Sequence, residues 1–462
     1  IPLHSVSAYA IAEFPRTANG KPDTGALLRF AEQQDAVSTG STARAGAEAD
    51  VTPETVRILL SALLARPDTT VDDSFSGLGG DSLSYVEVGL RLEELIGALP
   101  RGWPSLTARE LASRASATPL NQRGESDAAP VRAATSSVSK AASPPRPRRR
   151  RAGWAWMETP VVLRAVAIIL VVGTHADLFS LKGGAHLLLV VAGYNLARFQ
   201  LADMPGATRS ARLLRSTVQL AVPAVLWIGA VAVLTGQYGP RTVLLVNGLA
   251  PGGRWSEQWQ FWFLEAMVWS MLALAALFAF RGVDRLERRT PFPFALGLLG
   301  VAVAARIALA GATAEHVERY AATVVVSFIV LGWLIARADN VRRRVLASVV
   351  TVACTVGFFG DPAREALIIA GVLALVWLPS VPLPRISAPI VAVLAGSSMF
   401  VYLTHWQVYP PFEQPAPWLG TLLSFAVGIL VWRVYLWASA AMPAWRAAAR
   451  ARLTGTPERH AG

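Results

Sequence analysis

Cysteine is nearly absent from this chain, whose 462 residues include only Cys354. A single thiol excludes an intrachain disulfide and a cysteine metal cluster, and it leaves the redox compartment unmarked. Lysine is also scarce, because 40 of the 43 basic residues are arginine. This bias is typical of proteins from GC-rich bacterial genomes.

A secretory signal is also lacking near the first residue, Ile1, because no basic, apolar and cleavage regions follow one another there. The chain starts without a methionine. We therefore expect it to be the carboxyl-terminal part of a longer protein.

Apolar residues, in contrast, are abundant. They make up 53% of the chain, and the mean hydropathy of +0.41 is too high for an ordinary soluble protein of this size. The net charge of +12 could indicate a nucleic-acid partner, but the arginines cluster in short runs between apolar segments, as in the cytoplasmic loops of membrane proteins. We predict a lipid bilayer as a partner and no nucleic acid.

The first 35 residues contain the segment FPRTANGKPD, which begins at Phe14. Its Asn19-Gly20 pair is turn chemistry that projects Lys21 from a tight loop. The segment resembles the last motif of adenylate-forming synthetases, whose lysine reaches the carboxylate and the adenylate. The resemblance implies that residues 1–35 are the carboxyl-terminal remnant of an adenylation domain and that an upstream adenylation domain is a partner. Because the nucleotide pocket is missing here, Lys21 is interpreted as inactive in this fragment.

Residues 50–115 have the pattern of a small helical domain. Apolar residues recur at spacings of three and four from Val56 to Leu64, and a second helix is predicted to open at Ser82 and run towards Ile96. The segment DSFSGLGGDSL, which contains Ser82, resembles the signature of peptidyl and acyl carrier domains of nonribosomal peptide synthetases. A serine at the mouth of a helix exposes its hydroxyl, and adjacent glycines let a transferase approach the backbone.

This resemblance implies that Ser82 carries a 4'-phosphopantetheine arm, attached by a phosphopantetheinyl transferase, and that the arm holds an acyl or aminoacyl thioester. The alternative is that Asp81 and Ser82 only cap a helix, which such pairs often do. Cap chemistry alone does not require the preceding phenylalanine and double glycine, so we favour the carrier interpretation.

The rest of the chain is predicted to be a linker and a membrane domain. Residues 116–152 are rich in alanine, serine, proline and arginine, which predicts a disordered basic linker. Residues 154–445 are predicted to be a polytopic bundle of about ten transmembrane helices, which makes the whole chain all-α. The apolar segments are Pro160–Phe179, Gly183–Leu201, Leu213–Leu234, Trp259–Phe280, Phe292–Ala310, Tyr320–Ala336, Val345–Phe359, Glu365–Leu378, Pro389–Tyr409 and Trp418–Trp437. The seventh and eighth are short and could form a re-entrant pair.

Arginine clusters alternate along the membrane domain. They follow the second, fourth, sixth and tenth apolar segments, whereas residues 410–417 contain no basic residue. Because cytoplasmic loops are enriched in arginine and lysine, we predict a multi-pass protein of the bacterial plasma membrane. The carrier domain and the tail, residues 446–462, are then cytoplasmic.

Arg164 and His175 lie in the first apolar segment with ten residues between them, about 16 Å apart along a helix axis. This spacing resembles the R-x10-H signature of the integral membrane acyltransferase 3 family, and Arg212 and Arg215 match its R-x-x-R motif. Further matches are Gly193-Tyr194, Phe261 to Leu264 and Tyr402 to His405. One departure is Ala192, where the family usually has serine. The family uses acyl-coenzyme A donors, which share the phosphopantetheine arm, so a fused carrier could replace them.

The resemblance implies that His175 and Arg164 are catalytic, with His175 as general base, since imidazole titrates near neutrality. The alternative for a lone histidine is a buried structural role, which the cost of ionisable groups in lipid disfavours. Arg212 and Arg215 could bind phosphate groups of the arm or serve equally well as positive-inside anchors. The weaker site candidates are Tyr194, Glu265 (paired with Arg306 or lining a cavity) and His405, at a depth similar to that of His175.

We therefore predict a membrane acyltransferase that moves an acyl or aminoacyl group from a carrier-bound thioester to a hydroxyl or amine of a lipid, glycan or secondary metabolite. The rival interpretation is a multi-pass transporter or flippase with a tethered carrier domain, in which the same charges line a path. No metal site is predicted from the sequence.

Overall fold

The computed structural model describes residues 51–64, 66, 69–78, 80, 84–96, 99–100, 102–116, 153–202, 208–249, 256–313 and 317–453. The predicted adenylation remnant with Lys21, the predicted arm serine Ser82 and nearly all of the linker at 116–152 lie outside these residues. So do the end of the tail, 454–462, and the side chains of 440–453.

Helices form most of the described chain. In chain order they are α1 Pro53–Leu63, α2 Ser84–Ile96, α3 Ala108–Ser116, α4 Thr159–His175, α5 Gly184–Phe199, α6 Arg209–Thr235, α7 Pro240–Val243, α8 Trp262–Ala279, α9 Arg281–Arg289, α10 Pro291–Ala310, α11 Ala322–Ala336, α12 Val341–Thr355, α13 Pro362–Trp377, α14 Ala388–Thr404 and α15 Pro417–Leu453. Short 3-10 turns occur at Trp103–Ser105, Asn247–Leu249, Glu257–Trp259, Val317–Tyr320, His405–Gln407 and Pro410–Phe412.

Helices α1 to α3 pack together as an amino-terminal unit, by which we mean the described residues of 51–116. Thr52 caps α1 by accepting a hydrogen bond from the Thr55 backbone N–H at 3.2 Å, which satisfies one of the donors that a helix start leaves open. Apolar side chains at helical spacing bury the centre of the unit, among them Leu60, Leu92 and Leu111.

The described chain is mostly helical, as predicted, but it also contains a two-stranded antiparallel sheet that the all-α prediction did not include. Strand β1, Trp154–Glu158, pairs with β2, Ser380–Pro384, in a register that places Trp154 opposite Pro384. The partner strand lies far along the chain, so local periodicity could not reveal the pairing. The sheet ties the start of α4 to the segment before α14, and we call this the sheet end of the helix bundle. The opposite end, where α4 stops at His175, is the histidine end.

All ten predicted apolar segments overlap described helices. Five of the described helices are candidate membrane spans, and the count of about ten spans stays a prediction. The helices long and apolar enough to cross a membrane are Arg209–Thr235, Trp262–Ala279, Pro291–Ala310, Ala388–Gln407 and Pro417–Ser439. Helix α4 has 17 residues and spans about 25 Å, less than the roughly 30 Å of a hydrocarbon core. The last helix continues to Leu453, so helix extends into the predicted tail.

Glycines set the closest helix contact of the bundle, between α5 and α11. A Cβ atom at Gly193 would lie 1.8 Å from the carbonyl oxygen of Ile329, and one at Gly332 would lie 1.9 Å from that of Val190. Only glycine lets two backbones approach so closely. The Gly193 of the Gly193-Tyr194 motif therefore has a packing role.

Charged helix ends meet in a buried network at the sheet end. Glu287, at the end of α9, is 1% exposed and binds Arg209 at 2.5 Å and Arg337 at 2.8 Å. These arginines belong to the clusters that predicted the orientation. Because removing one partner would leave an uncompensated buried charge, the network fixes how α6, α9 and α11 meet.

Candidate active site

His175 and His405 form a hydrogen-bonded pair at the histidine end. His175 is the last residue of α4, and His405 begins the turn that follows α14. Nδ1 of His175 lies 2.9 Å from Nε2 of His405, and His405 is fully buried. The sequence predicted a similar depth for the two residues, and the structure brings their rings into direct contact.

A backbone carbonyl defines the proton positions in this pair. Nδ1 of His405 lies 2.7 Å from the carbonyl oxygen of Tyr402, and a carbonyl can only accept, so this nitrogen carries the hydrogen. In a neutral imidazole the other nitrogen is then an acceptor, and Nε2 of His405 accepts from Nδ1–H of His175. Nε2 of His175 is left with a lone pair and has no hydrogen-bond partner within the described part of the chain. This is the arrangement that a general base requires.

Surrounding hydrogen bonds hold the His405 turn in place. The Tyr402 hydroxyl donates to the carbonyl of Gln260 at 2.9 Å. Gln407, at the end of the turn, accepts from Nε1–H of Trp227 at 3.1 Å and donates to the Tyr238 hydroxyl at 2.8 Å. The turn is thus fixed to α6 and to the loop before α8.

Arg164 lies in the same helix as His175 but towards the sheet end, and it borders an internal cavity. It is 7% exposed and donates to the Ser398 hydroxyl of α14 at 3.0 Å. The cavity lining combines polar and apolar groups and extends up to Tyr402, which precedes the His405 turn. The lining residues are Arg164, Leu188, Ala192, Asn195, Leu196, Gln200, Ser216, Leu220, Phe263, Leu264, Met267, Met271, Ser398, Met399 and Tyr402. We call this the Arg164 cavity.

A second cavity lies next to it towards the sheet end. Its lining consists of Gly80, Phe199, Gln200, Arg212, Arg215 and Ser216, and we call it the Arg212 cavity. Gln200 and Ser216 line both cavities and are joined by a hydrogen bond of 3.2 Å. The hydrogen-bonded pair of Gln200 and Ser216 therefore lies between the Arg164 cavity and the Arg212 cavity.

The two arginines of the R-x-x-R motif differ in their surroundings. Arg212 is buried and donates to the carbonyl of Ala202 at 2.7 Å, whereas Arg215 is exposed. Both border the Arg212 cavity, so the motif supplies two guanidinium groups to a space that also contacts the amino-terminal unit.

Aromatic rings join that unit to the membrane domain. The ring of Phe199, at the end of α5, lies 5.0 Å from the ring of Tyr85 and 5.9 Å from that of Phe75. The neighbouring Arg198 pairs with Glu158 at 2.9 Å, and its Cζ lies 6.0 Å from the Tyr85 ring centre. Burial, together with the Glu158 carboxylate, raises the pKa of Tyr85 well above its ordinary value, so its hydroxyl stays protonated.

The weaker candidates occupy other places. Tyr194 lies beside Arg198, with 5.5 Å between its ring centre and Cζ. Glu265 is buried and accepts from the Gly248 backbone N–H. The suggested pairing of Glu265 with Arg306 is wrong, because Arg306 donates to the Cys354 carbonyl at 2.9 Å and lies over the ring of Phe358.

Several residues that shape the site escaped prediction. Gln200, Ser216 and Ser398 border the cavities, but single polar residues near helix ends carry no motif. Arg198 and Phe199 are an arginine and an aromatic residue at a helix end. Because this combination is common where helices meet the membrane interface, it did not indicate a functional site. In the part of the chain that the structure describes, no group of three or more histidine, cysteine, aspartate or glutamate residues could hold a metal ion.

Comparison with known proteins identifies the membrane part. A family profile described as an acyltransferase domain matches residues 157–446. Neither the curated proteins nor the solved structures contain a significant match. The profile covers more than half of the chain and includes Arg164, His175, Arg212, Arg215 and His405. The chain therefore belongs to the acyltransferase 3 family and is a membrane acyltransferase.

Proposed function

We propose that this acyltransferase takes its donor from the amino-terminal unit: an acyl or aminoacyl thioester on a 4'-phosphopantetheine arm at Ser82 is transferred to a hydroxyl or amine acceptor. One observation carries the proposal. Gly80, two residues before Ser82, lines the same cavity as Arg212 and Arg215. Gly80 of the segment that resembles a carrier signature therefore borders the cavity that the two arginines of the R-x-x-R motif line.

The residues around this cavity carry groups that are chemically complementary to a phosphopantetheine arm. The arm begins with a phosphate, and the two guanidinium groups of Arg212 and Arg215 offer charge-assisted hydrogen bonds to such a group. Beyond them, Gln200 and Ser216 provide amide and hydroxyl groups for the amide-containing part of the arm. The arm supplies the thioester, which is the activated acyl group of the reaction.

His175 supplies the base. Its Nε2 takes the proton from the acceptor hydroxyl or amine as that group attacks the thioester carbonyl, and it returns the proton to the leaving sulfur. His405 accepts from Nδ1–H of His175 and so keeps the lone pair on Nε2 and steadies the imidazolium that forms transiently. Arg164 lines one cavity together with Gln200 and Ser216, which also line the Arg212 cavity, and its guanidinium group has the charge and geometry to hold a donor carbonyl or amide.

The orientation proposed for the chain follows from the same arrangement. Arg209, Arg281 and Arg342, which begin or follow helices, all lie towards the sheet end, as expected for the cytoplasmic side. The amino-terminal unit contacts this end through Phe199. We therefore place the unit and the carboxyl terminus in the cytoplasm of a bacterial cell and the histidine pair towards the outer face.

Intact-protein mass spectrometry tests the donor assignment. The chain is co-expressed with a phosphopantetheinyl transferase, with Ser82→Ala as the variant and Ser84→Ala, two residues along, as the matched control. We expect the mass of the arm on the parent and the control and its absence from Ser82→Ala. Equal mass increments on all three proteins would refute the assignment. Co-expression with the upstream adenylation domain would add the mass of the acyl cargo.

A further inference from the structure

The contact between the amino-terminal unit and the membrane domain covers one side of the Arg212 cavity. Phe199 touches Phe75 and Tyr85 with its ring and also lines the Arg212 cavity beside Gly80. Phe199 is 2% exposed, although it lies at the end of a membrane helix. The unit therefore buries this ring and forms part of the cavity wall.

The interface is built from interlocking aromatic rings. The Tyr85 ring stacks on that of Trp103 with centres 5.1 Å apart and an angle of 17° between the planes. Gly80 lies against the third ring of the unit, since a Cβ atom there would meet Phe75 at 2.4 Å. Each aromatic pair of this kind stabilises the contact by more than the burial of its apolar area alone would. The glycine beside the cavity thus packs directly on a ring that contacts Phe199.

Charged groups give the contact a defined orientation. Arg198 reaches over the ring of Tyr85 while it pairs with Glu158 of β1, so Tyr85 of the amino-terminal unit lies beside an ion pair of the membrane domain. Glu87 of α2 is also within electrostatic range of Arg433 of α15, whose charge favours the ionised carboxylate. The cation over Tyr85 and this attraction both favour one orientation of the unit on the apolar patch.

We propose that Arg198 and Phe199 are a docking site that makes the enzyme select a donor tethered to its own amino-terminal unit over free acyl-coenzyme A. The inference rests on the proposed function. A donor on Ser82 is attached two residues from Gly80, which lies in the docked contact, whereas a donor from solution has to reach a cavity whose wall is formed by that contact. The discrimination is therefore a property of the interface and not of the catalytic histidines.

A competition between two isotopes tests the selection. A phosphopantetheinyl transferase and ¹⁴C-acetyl-coenzyme A load Ser82 of the full chain, and ³H-acetyl-coenzyme A is then added with membranes of the native host cell as the acceptor source. We expect the parent to deliver mainly ¹⁴C. Phe199→Ala and Tyr85→Ala, which alter the two sides of one ring contact, should each shift the product ratio about tenfold towards ³H. Phe280→Ala, an exposed ring at the sheet end of α8, should keep the parent ratio.

Cross-linking provides a readout that does not depend on activity. In a Cys354→Ser background, a short bis-maleimide should join Glu87→Cys to Arg433→Cys in the parent, and Phe199→Ala should reduce that yield. A parent ratio retained in both Phe199→Ala and Tyr85→Ala would overturn the docking site while leaving the proposed function standing. A parent that delivers no ¹⁴C from Ser82 would instead overturn the proposed function and the docking site with it.

Discussion

The two nitrogens of the His175 imidazole have different surroundings, and the proposed role of Nε2 as the base rests on this difference. The Tyr402 carbonyl orients His405, and His405 in turn holds Nδ1–H of His175. Removal of such an orienting partner changes the tautomer without removing the base itself. His405 is therefore a positioning residue, whose loss should differ from the loss of His175.

We expect His405→Ala to lower the turnover number about a hundredfold, because Nδ1 of His175 loses its acceptor and the lone pair is no longer confined to Nε2. His405→Gln should recover much of the rate, since its amide oxygen is able to accept the same hydrogen bond. Rates measured across pH separate this role from a purely structural one. If His405→Gln is as impaired as His405→Ala, the hydrogen bond is not what His405 contributes.

Residue spacing predicted part of this site and missed the rest for physical reasons. The ten-residue interval between Arg164 and His175 predicted how far apart the two residues lie along one helix, because a helix has a fixed rise per residue. The contact of His175 with His405 joins helices far apart in the chain, and no local pattern encodes such a contact. The same limit explains the wrong Glu265–Arg306 pairing, since depth alone does not say which way two helices face.

At the scale of elements, backbone contacts decide how the helices are arranged. Apolar length located the helical segments, five of which are long and apolar enough to cross a membrane. The sheet between β1 and β2 could not be predicted, because its strands are far apart in the chain. Glycine was correctly singled out at Gly193 as part of a motif. Its physical reason, the contact with the backbone of Ile329, emerged only from the packed structure.

Gly193→Ala should lower the free energy of unfolding by about 3 kcal/mol, because its Cβ would overlap the Ile329 carbonyl and force α5 away from α11. Gly297→Ala is the matched control, since a Cβ atom at that helical glycine would meet nothing within 4 Å. Denaturation midpoints of the two purified variants in detergent make the comparison. Equal midpoints would show that the α5–α11 contact is looser than described.

Topology is a second prediction at this scale. Gln414 lies in the exposed loop before α15, and Asp339 lies in the exposed loop after α11. We therefore consider the variants Gln414→Cys and Asp339→Cys in a Cys354→Ser background. Because arginine-rich loops stay in the cytoplasm, a membrane-impermeant thiol reagent on intact cells should label the first and spare the second. Permeabilised cells, in which both should react, are the control. Labelling of Asp339→Cys on intact cells would reverse the orientation.

On the scale of the whole molecule, the chain combines a membrane acyltransferase with an amino-terminal unit whose Gly80 borders the Arg212 cavity. The order of regions along the sequence predicted two functional parts, but it carried no information about their contact. That contact depends on Phe199 and Tyr85, neither of which belongs to the motifs used for prediction. A transporter with a tethered carrier would not require the base geometry found at His175 and His405.

We expect His175 to act as the base when the acyl group moves from Ser82 to the acceptor, and single-turnover discharge measures that step alone. The parent and His175→Ala are loaded on Ser82 with a radiolabelled acyl group and mixed with native membranes. Both should load equally, because the arm is attached outside the membrane domain. Discharge to acceptor should fall by about a hundredfold to ten-thousandfold in His175→Ala. Discharge at the parent rate would contradict the account and favour transport.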